Sequence, residues 1–167
     1  MKIFLILIIL SLSSVGFASK FIPYYASIKS SEVNVRKGPN TRYPISWVYK
    51  KKGEPVEVIA QFEHWNRIRD VTGDEGWVKT IMLNKKRSAI IIIASNKEEK
   101  QKQNVKLFAK LYREPNASSK VFANIESSKR VLLEKCQKQW CQIKVNNILA
   151  WIEKQYLWGV YVNEEFK

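Results

Sequence analysis

Two series of landmarks run through this chain at almost the same intervals. Pro39, Trp65, Trp77 and Leu83 stand 26, 12 and 6 positions apart, and Pro115, Trp140, Trp151 and Leu157 stand 25, 11 and 6 apart. Aromatic residues and breakers that recur in step mark two copies of one supersecondary unit. At 167 residues, two small cores are then favoured over one large one.

The first copy reads as short strands between tight turns. Val33-Asn34-Val35-Arg36 alternates, with the valines on one face and Asn34 and Arg36 on the other. Gly38-Pro39 forces the chain out of that strand, because glycine tolerates positive φ and proline fixes φ and lacks a donor. A long irregular segment, 40–44, follows. Ile45–Tyr49 is the next strand, with Trp47 and Tyr49 on one face and Val48 on the other. Val56–Phe62 is the third, with Val56, Val58 and Ala60 sharing a face. Glu63-His64 reverses the chain, and Trp65–Arg69 and Glu75–Lys79 form a hairpin around Thr72-Gly73-Asp74. Residues 81–83 close the unit with one short turn. Five short strands spaced this closely predict an all-β small barrel.

In the second copy Leu107–Tyr112 stands where the Val-Asn-Val-Arg stretch would be, and no glycine precedes Pro115. Asn146-Asn147 replaces the glycine-containing turn, since asparagine accepts the left-handed region. Ala89–Ala94 is β-branched and reads as a buried or tightly paired strand, and 96–104 as a solvated polar loop. The sole cysteines, Cys136 and Cys141, flank the turn that answers Glu63-His64 and would face each other across a hairpin. In an oxidising compartment such a pair invites a disulfide; the competing reading is two small reduced hydrophobes. Two thiols and the single histidine, His64, cannot complete a zinc site, and four intervening residues do not make a thioredoxin-like motif.

Residues 1–18 read as an export signal. Lys2 is the positive start, Ile3–Leu10 the apolar run, and Gly16 and Ala18 the small residues before a cut after Ala18. An uncleaved anchor is the competing reading, although the run is shorter than the roughly 20 residues a span needs. The net charge is +14, which favours acidic partners over a merely soluble basic surface by no decisive margin. Export excludes nucleic acid as a sensible partner and leaves the membrane only through the leader. Phe21, Ile22, Pro23, Tyr24 and Tyr25 are too apolar for a free tail and predict a lead-in packed on the first barrel.

No catalytic constellation assembles. His64 before Trp65 reads as a turn residue without a positioned partner, and Glu57, Asp70, Asp74 and Glu75 read as solvated or turn residues. No glycine-rich phosphate loop is present. The reading is of a protein that is not an enzyme and needs no cofactor or metal.

Val33-Asn34-Val35-Arg36-Lys37-Gly38-Pro39, with Trp65, Gly76-Trp77-Val78 and Leu83, resembles the bacterial SH3 domain. Cys136, Trp140-Cys141 and Leu157-Trp158-Gly159-Val160-Tyr161 are similar to the second module and tail of exported bacterial proteins built from two such domains. The resemblance covers about 31–164. It implies two tandem SH3-like barrels: a signal peptide at 1–18, a lead-in at 19–30, a first domain at 31–84, a connecting strand and polar loop at 85–103, and a degenerate second domain at 104–162. It also implies export to the periplasm or cell envelope. There the chain would be a non-catalytic module that binds cell-wall peptide or an envelope protein, possibly acidic; the alternative is a scaffold docking another envelope protein. The loop after the first strand would wall an SH3 groove, so Arg36, Arg42, Tyr43, Trp47, Tyr49 and Trp65 are the candidate ligand surface. Stacked rings and guanidinium forks suit extended peptides with carboxylates. Trp77 reads as core, Trp65 stays open, and Arg36 either meets ligand or holds the loop through its carbonyls.

Overall fold

A computed structural model describes residues 21–94 and 106–167. The expected leader with its cut after Ala18 lies outside the described residues, as does the polar loop at 96–104.

The first repeat comprises β1 (Tyr24–Ile28), β2 (Val33–Arg36), β3 (Ile45–Tyr49), β4 (Pro55–Phe62), β5 (Trp65–Arg69), β6 (Glu75–Lys79), a 3-10 turn (Thr80–Met82) and β7 (Leu83–Asn84). The second comprises β8 (Ser88–Ile91), β9 (Phe108–Tyr112), β10 (Val121–Glu126), β11 (Arg130–Gln137), β12 (Trp140–Val145), β13 (Ile148–Glu153), a 3-10 turn (Lys154–Tyr156) and β14 (Leu157–Trp158). Each repeat forms one seven-stranded antiparallel sheet, ordered β3-β2-β6-β5-β4-β1-β7 and β10-β9-β13-β12-β11-β8-β14. The two orders are the same permutation. The registers agree too: Trp65 pairs with Lys79 as Trp140 pairs with Glu153, and Arg36 pairs with Trp77 as Tyr112 pairs with Trp151. The chain is therefore all-β, two SH3-like barrels in tandem, and the tryptophans are equivalent landmarks.

Three expectations change. The lead-in does more than pack on the first barrel: Phe21 lies against its core, and Tyr24–Ile28 is a strand of the sheet that pairs with β4 and β7. Its counterpart is the strand taken as a connector, β8, which pairs with β11 and β14. Each sheet thus has seven strands rather than five, and each starts before residues 31 and 104. Neither strand alternates cleanly, because both are covered on more than one side, so period-2 reasoning passes over them. Ala60 does not share the core face with Val56 and Val58. A register shift between Val58 and Ala60, matched by one between Leu133 and Lys135, turns the strand.

Ile28, Val33, Val35, Val56, Val58, Ile68 and Val78 form the first core; Ala89, Ile91, Leu111, Val131, Leu133, Ile143 and Ile152 lead the second. Each fully buried aliphatic chain contributes about 1.5–3 kcal/mol. Cys136 and Cys141 are disulfide-bonded across the β11–β12 hairpin. Asn146 and Asn147 both take positive φ, 46° and 66°, as their turn requires.

The barrels meet through side chains. The ring of Tyr25 packs on Trp158 at 5.3 Å and on Tyr161 at 4.7 Å. Tyr161 donates its hydroxyl to Glu57 at 2.8 Å, Ser88 to the Gly53 carbonyl at 2.8 Å, and Arg130 to the Lys52 carbonyl at 2.7 Å and to Glu54 at 2.8 Å. Burial, then the charges of Glu57 and Glu164, push the Tyr25 phenol up to about 12. Burial and the bond to Glu57 raise Tyr161 as well.

Candidate functional site

The loop between β2 and β3 is held by its own polar groups. Arg36 donates from Nη1 to the Tyr43 carbonyl at 2.7 Å. Lys37 N–H meets the Pro44 carbonyl at 3.1 Å, and Asn40 receives the amide of Arg42 on its Oδ1 at 3.0 Å. The Tyr43 ring lies on Gly38, where a Cβ would come within 2.7 Å of ring carbons. Gly38 does not take the positive φ that the sequence suggested, so glycine is required here by the close approach of the Tyr43 ring and not by a left-handed turn. The loop is consequently preorganised, which lowers the ordering cost of binding.

Between this loop and the β5–β6 hairpin lies a cavity of about 190 Å³ lined by Glu32, Val33, Asn34, Arg36, Thr41, Trp65, Lys79 and Met82. Trp65 is 9% exposed and forms part of the wall. The Lys79 ammonium stands 5.9 Å from its ring centroid, within cation–π reach. Glu32 is paired with Lys50 at 3.1 Å, which leaves Arg36 and Lys79 as the cationic side. Such a pocket offers an aromatic wall and two cations, a fit for a carboxylate or phosphate on a flat or apolar stem.

Of the residues singled out from the sequence, Arg36 and Trp65 meet at this cavity. Arg42 is exposed on the loop, and Tyr43 is 47% exposed above Gly38. Trp47 and Tyr49 are half-buried and pack on the first core. The Trp47 ring also approaches Gly76, where a Cβ would sit 3.1 Å from its Cη2. There is thus no continuous exposed strip of Tyr43, Trp47 and Tyr49, because the core claims the last two. Arg36 takes the loop-holding role and also lines the cavity. Sequence reasoning missed Lys79 and Thr41. Lys79 was recoverable: a hairpin centred on Thr72 places position 79 opposite Trp65.

The second barrel differs at the same place. Tyr112 stands where Arg36 stands in the first, and its ring packs edge-on against Trp140 at 5.2 Å and 87°. Glu153 replaces Lys79. That groove is filled by aromatic contact and has lost both cations.

Of the carboxylates singled out from the sequence, Asp70 and Asp74 accept hydrogen bonds from Thr72 within their turn, and Glu57 and Glu75 sit in ion pairs. Arg69 bonds Glu75 at 2.7 Å and Glu57 at 3.3 Å, and Arg67 bonds Glu75 at 2.7 Å. The hydrogen bond from Arg69, helped by Arg67, holds Glu75 below the usual carboxylate range. His64 is exposed in its turn. Among the described residues no cluster of metal-ligating side chains forms, and no helix is long and apolar enough to cross a membrane.

The family model described as "Bacterial SH3 domain" matches residues 29–84 and 105–159. A curated relative, "Putative N-acetylmuramoyl-L-alanine amidase YrvJ" of Bacillus subtilis (strain 168), is 23% identical over 132 residues, which cover 79% of this chain and 25% of that protein. The chain therefore spans about a quarter of the length of the curated relative it matches. Among solved structures, NlpC2 from Trichomonas vaginalis aligns with 84% of this chain and 49% of its own at 12% identity and a TM-score of 0.35. An NlpC/P60 family protein from Bacillus cereus ATCC 10987 aligns with 80% and 55% at 14% identity and a TM-score of 0.32. TM-scores this low do not establish a shared overall arrangement.

Proposed function

Because the chain belongs to the bacterial SH3 domain family in both of its halves, we propose that it is a non-catalytic cell-envelope module that binds cell-wall peptide or related wall material in the first barrel. The observation that carries this reading is the contrast at one structural position. The first groove is open, with Arg36 and Lys79 beside Trp65, whereas the second is filled by Tyr112. The ligand feature that fits is a carboxylate-bearing extended segment, with Tyr43 and Arg42 on the loop as outer contacts. The relative named as an amidase of N-acetylmuramoyl-L-alanine supports wall material as the ligand class. An exported location follows from that ligand and from the expected leader.

The test is retention on purified peptidoglycan at physiological salt. The wild type is retained, and Lys79→Glu, which installs the charge of the second barrel on an exposed position, weakens retention about tenfold, as expected for reversing one surface charge near an anion. Arg42→Ala and Tyr43→Ala weaken it less. No retention of the wild type, or equal retention of all variants, refutes the reading.

A second reading, a scaffold that docks another envelope protein, is favoured by the exposed Phe108, Val121, Phe122, Ile148 and Leu149 on the adjacent strands β9, β10 and β13. Cross-linking in intact cells separates the two: a single protein adduct favours the scaffold, wall material the binding module.

A further inference from the structure

The C-terminal tail closes one end of the second barrel. Lys154, 4% exposed, donates its ammonium to the carbonyls of Val162 at 3.0 Å and Glu164 at 2.7 Å. Arg87 holds the Glu164 carboxylate. Phe166 exchanges both main-chain hydrogen bonds with Cys136, at 2.9 and 3.0 Å, beside the disulfide to Cys141.

The registers give the counterparts of these residues in the first barrel. Thr80 answers Lys154, since their amides bond the carbonyls of His64 and Gln139, the matching turn residues. Asn66 answers Cys141, and Gln61 answers Cys136. Tyr24 answers Arg87, because Ala26 opposite Val56 matches Ala89 opposite Val131. In the first barrel no tail lies there, since the chain runs on past Lys85 into β8. A cleft of about 470 Å³ remains instead; Tyr24, Asn66 and Thr80 line it together with Tyr25, Lys85 and Arg87, and Phe166 of the tail borders it from the second barrel.

Asn66 is 1% exposed, and neither its Oδ1 nor its Nδ2 has a hydrogen-bond partner among the described residues. Burying an unmet carboxamide costs on the order of 1–3 kcal/mol, so such a group needs an explanation. A carboxamide offers one acceptor and two donors, which match the N–H and C=O of a peptide main chain. The cleft wall is aromatic and its rim carries the exposed Lys85, while the neighbouring Arg87 is already held by Glu164, so an acidic residue that reaches Lys85 complements it.

We propose that this cleft is a second binding site, distinct from the Trp65 groove, and that it takes a short extended acidic peptide segment of a partner protein with an aromatic residue. The occupant would lie as residues 161–167 lie on the second barrel, with its main chain meeting the Asn66 carboxamide after a small side-chain adjustment.

The probe is a synthetic peptide with the sequence of residues 161–167, titrated into the isotope-labelled full chain and followed by nuclear magnetic resonance. The Asn66 side-chain amide signals shift with saturation below millimolar peptide, while the Trp65 indole signal stays. In Asn66→Leu the main-chain amide signals of Thr80 and Lys85, which shift with peptide in the wild type, no longer respond. Lys85→Glu, an exposed change that leaves the core alone, weakens binding at least tenfold, and Lys79→Glu leaves it unchanged. A peptide with Glu164 and Glu165 replaced by lysine binds at least tenfold more weakly. No shift at Asn66 with millimolar peptide, shifts confined to Trp65, or a response to soluble wall glycopeptide but not to the peptide overturns the proposal.

Discussion

Removing the hydroxyl of Tyr161 tests whether the two barrels behave as one body. That hydroxyl donates to Glu57 at 2.8 Å across the interface, while Arg69 reaches the same carboxylate at 3.3 Å. A hydrogen bond to a charged group contributes about 1.5–3 kcal/mol. Here Glu57 keeps Arg69 after the change, and the Tyr25 ring remains 4.7 Å from the ring of residue 161, so Tyr161→Phe is expected at the low end, about 1.5 kcal/mol. Glu57→Gln removes the charge and also loosens Arg69. The informative quantity is the coupling in a double-mutant cycle, expected at about 1 kcal/mol because the two groups touch. The assay is denaturant unfolding with fluorescence and circular dichroism recorded together. The wild type should unfold in one transition, and Tyr161→Phe should lower its midpoint without changing its slope. Coupling below about 0.3 kcal/mol, the level of additivity for independent sites, together with two separate wild-type transitions, would refute the claim that these side chains join the barrels.

Two further predictions concern the second barrel and its tail. Reduction of the Cys136–Cys141 bond, which spans a sequence separation of 5, is expected to cost about 2 kcal/mol from loop-closure entropy; calorimetry with and without reductant checks it, and an unchanged melting temperature contradicts it. Burial alone would raise the Glu164 carboxyl, but the bonds from Arg87 and the Tyr161 amide outweigh it and hold the group below its ordinary value. The stability it adds is therefore present above the unfolded carboxylate range, near pH 4.5, and is lost as pH falls through the lower folded value. Thermal melts across that acid window should show a steeper loss for the wild type than for Glu164→Gln, and parallel curves would contradict the pairing with Arg87.

Much of the architecture was legible because it is locally encoded. Val33 and Val35 alternate with Asn34 and Arg36 and are buried as alternation requires. The turns at Gly73 and at Asn146-Asn147 carry the φ values that their residue types permit, and the cysteines face each other across their hairpin. The candidate site was only half legible. Arg36 and Trp65 were named, yet Trp47 and Tyr49 went to the core because residues elsewhere, Gly76 among them, leave room for them there. Lys79 entered through strand pairing rather than through any motif.

The sequence by itself determined that the two repeats are built of β-strands, that the unit occurs twice, where each hairpin turns, and which cysteines can join. These properties depend on side-chain alternation and on φ preferences within a few residues. Tertiary structure alone decided that Tyr24–Ile28 and Ser88–Ile91 belong to the sheets, that Arg36 and Lys79 flank Trp65 while Tyr112 fills the matching groove, and that the tail closes one barrel end and leaves the other open. Burial and pairing of this kind are set by segments distant along the chain, which no local pattern of residues records.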